Sequence, residues 1–173
     1  SLGGPGAKNI EAEKGTGQGR VYTSDDEGQT WQYRTNFEMW HFTPFVAGDK
    51  LYILGHHKDL RVISSDDWGE TWSKYSELTE GQIWHGSATN VWYKGDYVYI
   101  VKERRMGGQM KGGWKVSELA PVLLRGNINK DLTKRENWTF ASEISFYETV
   151  DDEELDWFGV PFRDGYYPNI KRN

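Results

Sequence analysis

Four histidines occur in the 173-residue chain, at positions 41, 56, 57 and 85. Two follow a tryptophan directly, in Trp40-His41 and Trp84-His85; from Trp40 to Trp84 the offset is 44 residues. The other two lead into Lys58 and Asp59, and a later segment opens with Glu103, Arg104 and Arg105. These residue types allow three kinds of chemistry. Aromatic rings stack on sugar faces while Arg104, Arg105 and Lys58 pair a carboxylate, which describes a cleft for an acidic carbohydrate. Imidazoles together with Asp59 or Glu103 can ligate a metal ion. Against that, His56 and His57 are adjacent, and neighbours on a strand point to opposite faces. In the third reading, imidazoles and indoles only pack loops over the ends of strands.

Those side chains need a scaffold, and composition narrows it. The chain carries 9 Trp, 10 Tyr, 7 Phe and 20 Gly, the profile of an all-β protein with many tight turns. Its length is that of one domain. A net charge of −5 without a basic stripe argues against nucleic acid as partner. The absence of cysteine excludes disulfides and thiol chemistry. No apolar run approaches the roughly 20 residues of a membrane-spanning helix, and no signal peptide is recognisable. A soluble chain is expected; whether it is secreted or periplasmic stays open.

The strongest pattern is a repeat. "TSDDEGQTW" and "SSDDWGETW" share the form Ser-x-Asp-x-Gly-x-Thr-Trp. The first copy is Ser24, Asp26, Gly28, Thr30 and Trp31; the second is Ser65, Asp67, Gly69, Thr71 and Trp72. From Trp31 to Trp72 the offset is 41 residues, which suits a four-stranded repeat. A third, looser unit keeps Asp131 and Trp138. Each Asp is expected to accept backbone N–H bonds two or three residues on, each glycine to supply a positive φ, and each tryptophan to wedge between sheets. A buried Trp removes roughly 150–250 Å² from water, about 4–6 kcal/mol as an upper bound. The paired aspartates at 25–26 and 66–67 admit a cation or sugar site instead, but a calcium loop needs more oxygen ligands.

Upstream of two units stand hairpins around Gly48-Asp49 and Gly95-Asp96. The strands drafted from these signals are 20–23 and 31–35; then 42–47, 51–55, 60–64 and 72–76; then 88–93, 97–102, 120–125 and 138–143. The drafted layout is a Gly-rich leader (1–19), a half unit (20–41), full units (42–77 and 86–146) and an acidic, aromatic tail or link (147–173). "RRMGGQMKGG" reads as a mobile tip, and the sequon at Asn137 as accidental because Trp138 belongs in the core.

Ser-x-Asp-x-Gly-x-Thr-Trp is the Asp-box, and its recurrence over residues 20–146 resembles the sialidase-like (BNR-repeat) β-propellers, bacterial sialidase-like proteins among them. The resemblance implies a six-bladed propeller of four-stranded antiparallel blades, of which two and a half to three are present. It implies a glycoside-hydrolase-related or glycan-binding function. Family sialidases hold the sugar carboxylate with three arginines and use an Asp acid/base and a Glu-activated Tyr, outside the two-carboxylate scheme. No Arg-Ile-Pro motif occurs here, and no tyrosine is placed as nucleophile, so that set does not transfer.

Antiparallel order puts the motif turns on one face and the remaining loops on the other. That second face holds Trp40, His41, His56, His57, Lys58, Trp84, His85, Arg104 and Arg105 as substrate-binding candidates, with Asp59 and Glu103 as catalytic candidates. No cofactor is expected. The partner expected is carbohydrate, and the open blade edges imply either a homodimer that completes a ring or a fragment of a larger propeller. The alternative function is a non-catalytic module for protein or carbohydrate binding.

Overall fold

The computed structural model describes residues 19–86, 90–106, 119–141 and 143. The leader ahead of Gly19, residues 107–113 of the expected tip and the expected tail at 147–173 lie outside the described residues, while Arg104 and Arg105 of that tip belong to a strand. Eleven strands are described, all antiparallel: β1 (Gly19–Thr23), β2 (Gln32–Phe37), β3 (Trp40–Ala47), β4 (Lys50–His57), β5 (Asp59–Ser65), β6 (Ser76–Glu77), β7 (Trp84–His85), β8 (Trp92–Lys94), β9 (Tyr97–Arg105), β10 (Leu119–Asn127) and β11 (Trp138–Phe140). Among the described residues there is no α-helix, and none therefore long and apolar enough to cross a membrane. The chain is all-β.

The strands form three sheets: β1-β2, then the meander β3-β4-β5-β6, then β7-β9-β10-β11 with β8 also on β9. Alternation explains the long strands. In "YVYIVKERR" the residues Val98, Ile100 and Lys102 are buried, while their neighbours are only partly covered. The hairpins turn on Gly48 and Gly95, at φ +61° and +56°, which a glycine adopts without steric cost.

The cores lie between sheets. Tyr52, Leu54, Leu60 and Val62 of the second sheet meet Trp84, Val98, Ile100, Val122, Leu124 and Trp138 of the third. Met39, Ile53 and Ile63 meet Val21 and Phe37 of the first sheet, with Trp72 alongside.

Strand ends differ from the drafted ones in an informative way. β4 and β5 run through the expected "GHHKDL" loop, leaving only Lys58 between them, at φ +63°. β3 begins at Trp40, so the first crossover shrinks to Glu38-Met39. The strand drafted at 72–76 is only Ser76–Glu77, because the Ser64 N–H is taken by the Ser73 hydroxyl (3.0 Å), interrupting the ladder. Of the strand drafted at 88–93, the described residues contribute β8, which pairs with β9; β7, ahead of that range, pairs with β9 as well.

The two motif turns are near copies. Thr30 N–H donates to Asp26 Oδ1 (2.8 Å) and Thr30 Oγ1 to Asp26 Oδ2 (2.6 Å); Ser24 Oγ donates to Asp26 Oδ1 and accepts from Gly28 N–H, both at 2.8 Å. In the second turn Thr71 and Ser65 hold Asp67 the same way, and Ser65 Oγ accepts from Gly69 N–H at 2.8 Å. The aspartate thus reaches four residues on, not two or three. Gly28 and Gly69 sit at φ +87° and +99°. Both carboxylates are satisfied within the turn, and the hydrogen bonds from Thr30 and Thr71 hold their pKa values down to about 2. The third unit has a shorter version: Asp131 Oδ1 accepts from Thr133 N–H and Oγ1, at 3.0 and 2.7 Å.

The tryptophans correct a sequence expectation. Only Trp138 is a buried wedge, 4% exposed and edge-on to Phe45. Trp72 is half-buried in the seam between the first two sheets. Trp31 is 62% exposed, because no described sheet lies beyond β1-β2 to receive it. Next to Trp138, the Asn137 amide donates to Asp131 O at 2.7 Å, so the sequon's side chain is used inside the turn.

Candidate functional site: a histidine cluster at a bulge

The motif turns and hairpin glycines occupy one end of the second and third sheets. At the other end three of the four histidines converge. His41 Nδ1 lies 2.9 Å from His56 Nε2 with the rings stacked. The His41 and His85 ring centroids are 4.4 Å apart, and those of His56 and His85 6.2 Å. His85 Nδ1 lies 2.9 Å from Glu103 Oε2, since the two residues are direct cross-strand partners of β7 and β9.

His41 is delivered by a backbone irregularity. Trp40 pairs with His56 and Thr43 with Leu54, so β3 carries one residue more than β4 across this interval. That is a β-bulge, a device that re-aims side chains. His41 takes φ +43° there, a conformation disfavoured for a side chain with a Cβ. Two glycines make the space. A Cβ on Gly55 would lie 2.9 Å from Trp40 O, and a Cβ on Gly86 would lie 3.0 Å from His41 Cβ.

Beneath the bulge lies Lys102, with no exposed surface. Its Nζ donates to His41 O (2.7 Å) and to Thr43 Oγ1 (3.0 Å). Burial pushes its pKa down to about 8. Burial, then the charges of His41, His85 and Lys102, pushes His56 down to about 3. His41 is lowered as well, by partial desolvation first, then by His85 and Lys102. His56 is therefore neutral across the physiological range.

The other candidate residues are placed differently. Asp59 is occupied with loop structure: it accepts from Thr79 Oγ1 (2.8 Å), Gln82 N–H (2.9 Å) and Gly81 N–H (3.0 Å). Trp84 is 2% exposed in the core, its Nε1 donating to Gln82 Oε1 at 3.0 Å, so it offers no face to a sugar. Trp40 keeps 39% of its surface exposed. Arg104 pairs with Glu143, and the buried Arg105 Nε has no partner among the described residues. Lys58 is exposed at its turn. His57 is separate from the cluster, 3.9 Å from Glu38, whose other carboxylate oxygen faces Arg61 at 3.7 Å.

Sequence reasoning missed Lys102, Gly55 and Gly86. Lys102 was findable, because it falls on the inward phase of the alternation set by Val98 and Ile100. Among the described residues no group of three His, Cys, Asp or Glu side chains is arranged to hold a metal ion. A cleft of about 630 Å³ lies between the second and third sheets' edges, lined by residues including Glu77, Glu80, Gln82, Arg135 and Phe140.

Compared with known proteins, the chain matches no protein-family model and no curated protein.

Proposed function

We propose that the chain is part of an Asp-box β-propeller of the sialidase-like kind, and that the histidine-bearing end of its sheets binds carbohydrate. The convergence of His41, His56 and His85 with Glu103 carries this reading, at the end of the sheets remote from the motif turns. Two meandering antiparallel sheets, each preceded by or containing the repeated turn, support the propeller. The partly exposed Trp40 beside imidazole donors and acceptors supports a sugar ligand.

The site's acid–base capacity rests on His85 and Glu103, a pairing in which the carboxylate orients the ring. Glycoside hydrolysis between two carboxylates has less support, because Asp59 is consumed by three hydrogen bonds. That same fact favours the second reading, a non-catalytic glycan-binding module. A panel of fluorogenic glycosides separates the two. Turnover abolished by Glu103→Gln but kept by Asp59→Asn indicates an enzyme that works through His85; glycan binding without turnover of any glycoside indicates the module.

A further inference from the structure

We infer that the hydrogen-bond network fixes complementary tautomers on His41 and His85, so that the cluster offers a sugar one N–H donor and one bare ring nitrogen side by side. The inference rests on the carbohydrate reading and names how that site engages its ligand. It starts from His56, which is 7% exposed. Among the described residues its buried Nδ1 has no hydrogen-bond partner, and its one polar contact is Nε2 to His41 Nδ1. A neutral imidazole has one proton to place. On Nδ1 it would be an orphaned buried donor, which is rarer in proteins than an orphaned acceptor. The proton therefore sits on Nε2 and is donated to His41 Nδ1.

His41 Nδ1 is thereby an acceptor, and the His41 proton must be on Nε2. On His85 the reverse holds. An ionised Glu103 can only accept, so a neutral His85 carries its proton on Nδ1 and leaves Nε2 bare. The two rings, 4.4 Å apart between centroids, thus carry opposite free functions. Neither side chain is sealed: His41 is exposed and the His85 side chain is 22% exposed. A ligand that fits has a hydroxyl proton to give His85 and, on a neighbouring atom, an oxygen to accept from His41. Adjacent hydroxyls of a sugar, or a hydroxyl beside a ring carboxylate, have that chemistry. Lys102 is the positioning residue. It holds the His41 carbonyl in the bulge, and its charge opposes a second proton on the ring.

The test is long-range ¹H–¹⁵N correlation NMR of the histidine side chains at neutral pH, which distinguishes the tautomers directly. The expected pattern is Nε2–H for His41 and His56 and Nδ1–H for His85. In Glu103→Gln, His85 is expected to lose its single tautomer while His41 and His56 keep theirs. In Lys102→Met, the His41 titration midpoint is expected to move upward, a readout that a packing role alone would not move. An Nδ1–H tautomer on His41 or His56 overturns the inference. Addition of galacturonate and N-acetylneuraminate then tests the ligand. Shifts centred on His41 and His85 Nε2 support it. The expected tautomers with no shift for either sugar or for an oligosaccharide panel leave the network standing and overturn the carbohydrate reading.

Discussion

His56 gives the protein a pH response of definite sign. Its pKa falls from 6.5 in the unfolded chain to about 3 in the fold. Between those values the unfolded chain binds the extra proton and the fold does not, so stability drops as pH falls from 6.5 towards 3. Asp26 and Asp67 add to the loss at the acid end, since pKa values lowered to about 2 withdraw their contribution below the usual carboxylate range. Thermal melts from pH 8 to pH 3 are expected to show a falling midpoint, and His56→Asn to flatten the part between pH 6.5 and pH 4. A wild-type midpoint independent of pH over that interval contradicts the buried neutral imidazole. Gly86 is a second test at this scale. Alanine there presses on His41 Cβ at 3.0 Å and Lys102 Nζ at 3.3 Å, so Gly86→Ala should cost about 1–3 kcal/mol in denaturant unfolding and shift the His41 resonances more than those of His57.

At the scale of the element, the bulge in β3 is the feature on which the cluster depends. Gly55 on β4 admits it, because any Cβ there meets Trp40 O at 2.9 Å. Gly55→Ala is expected to destabilise more than Gly86→Ala, since its three nearest atoms (Trp40 O, Met39 Cβ and Phe42 Cβ) are all fixed to backbone, whereas at Gly86 only His41 Cβ is and the Lys102 side chain can give way. The motif turns predict a contrast of their own. Asp67→Ala removes the acceptor of both Thr71 bonds, while Asp66 makes an exposed ion pair with Lys50 and no other ion pair among the described residues. Asp67→Ala should lower the melting midpoint clearly and Asp66→Ala barely. These turns were legible in the sequence, because their hydrogen bonds are local and Ser, Asp, Gly and Thr each have one job at fixed spacing. The hairpins at Gly48 and Gly95 were legible for the same reason. The bulge was not. An extra residue in β3 leaves no mark on the alternation "WHFTPFVA" until its partner strand is known, so the sequence alone places His41 in a loop. The part Asp59 plays in loop structure was hidden on similar grounds, because its partners at 79, 81 and 82 are about 20 residues away.

Across the whole molecule, the tryptophans report how sheets follow one another. Trp138 closes the seam between the second and third sheets, and Trp72 borders the seam between the first and second. Trp138→Ala should cost about 3–5 kcal/mol. Trp31→Ala should change little if its face stays in water, and its fluorescence should then be readily quenched by iodide; protection from quenching would show that another surface covers it. The all-β class was readable from aromatic, glycine and repeat content together. The convergence of three histidines was only partly readable: their shared end followed from strand order, but Lys102 beneath them and Trp84's burial depend on how two sheets face each other. The proposed carbohydrate site is this convergence. Isothermal titration calorimetry of the protein with a panel of acidic and neutral oligosaccharides, run beside a His41→Ala, His85→Ala double variant of unchanged melting midpoint, tests it most directly. Saturable binding of at least one oligosaccharide that the double variant loses is the predicted result; binding that the double variant retains, or none across the panel, would contradict the claim.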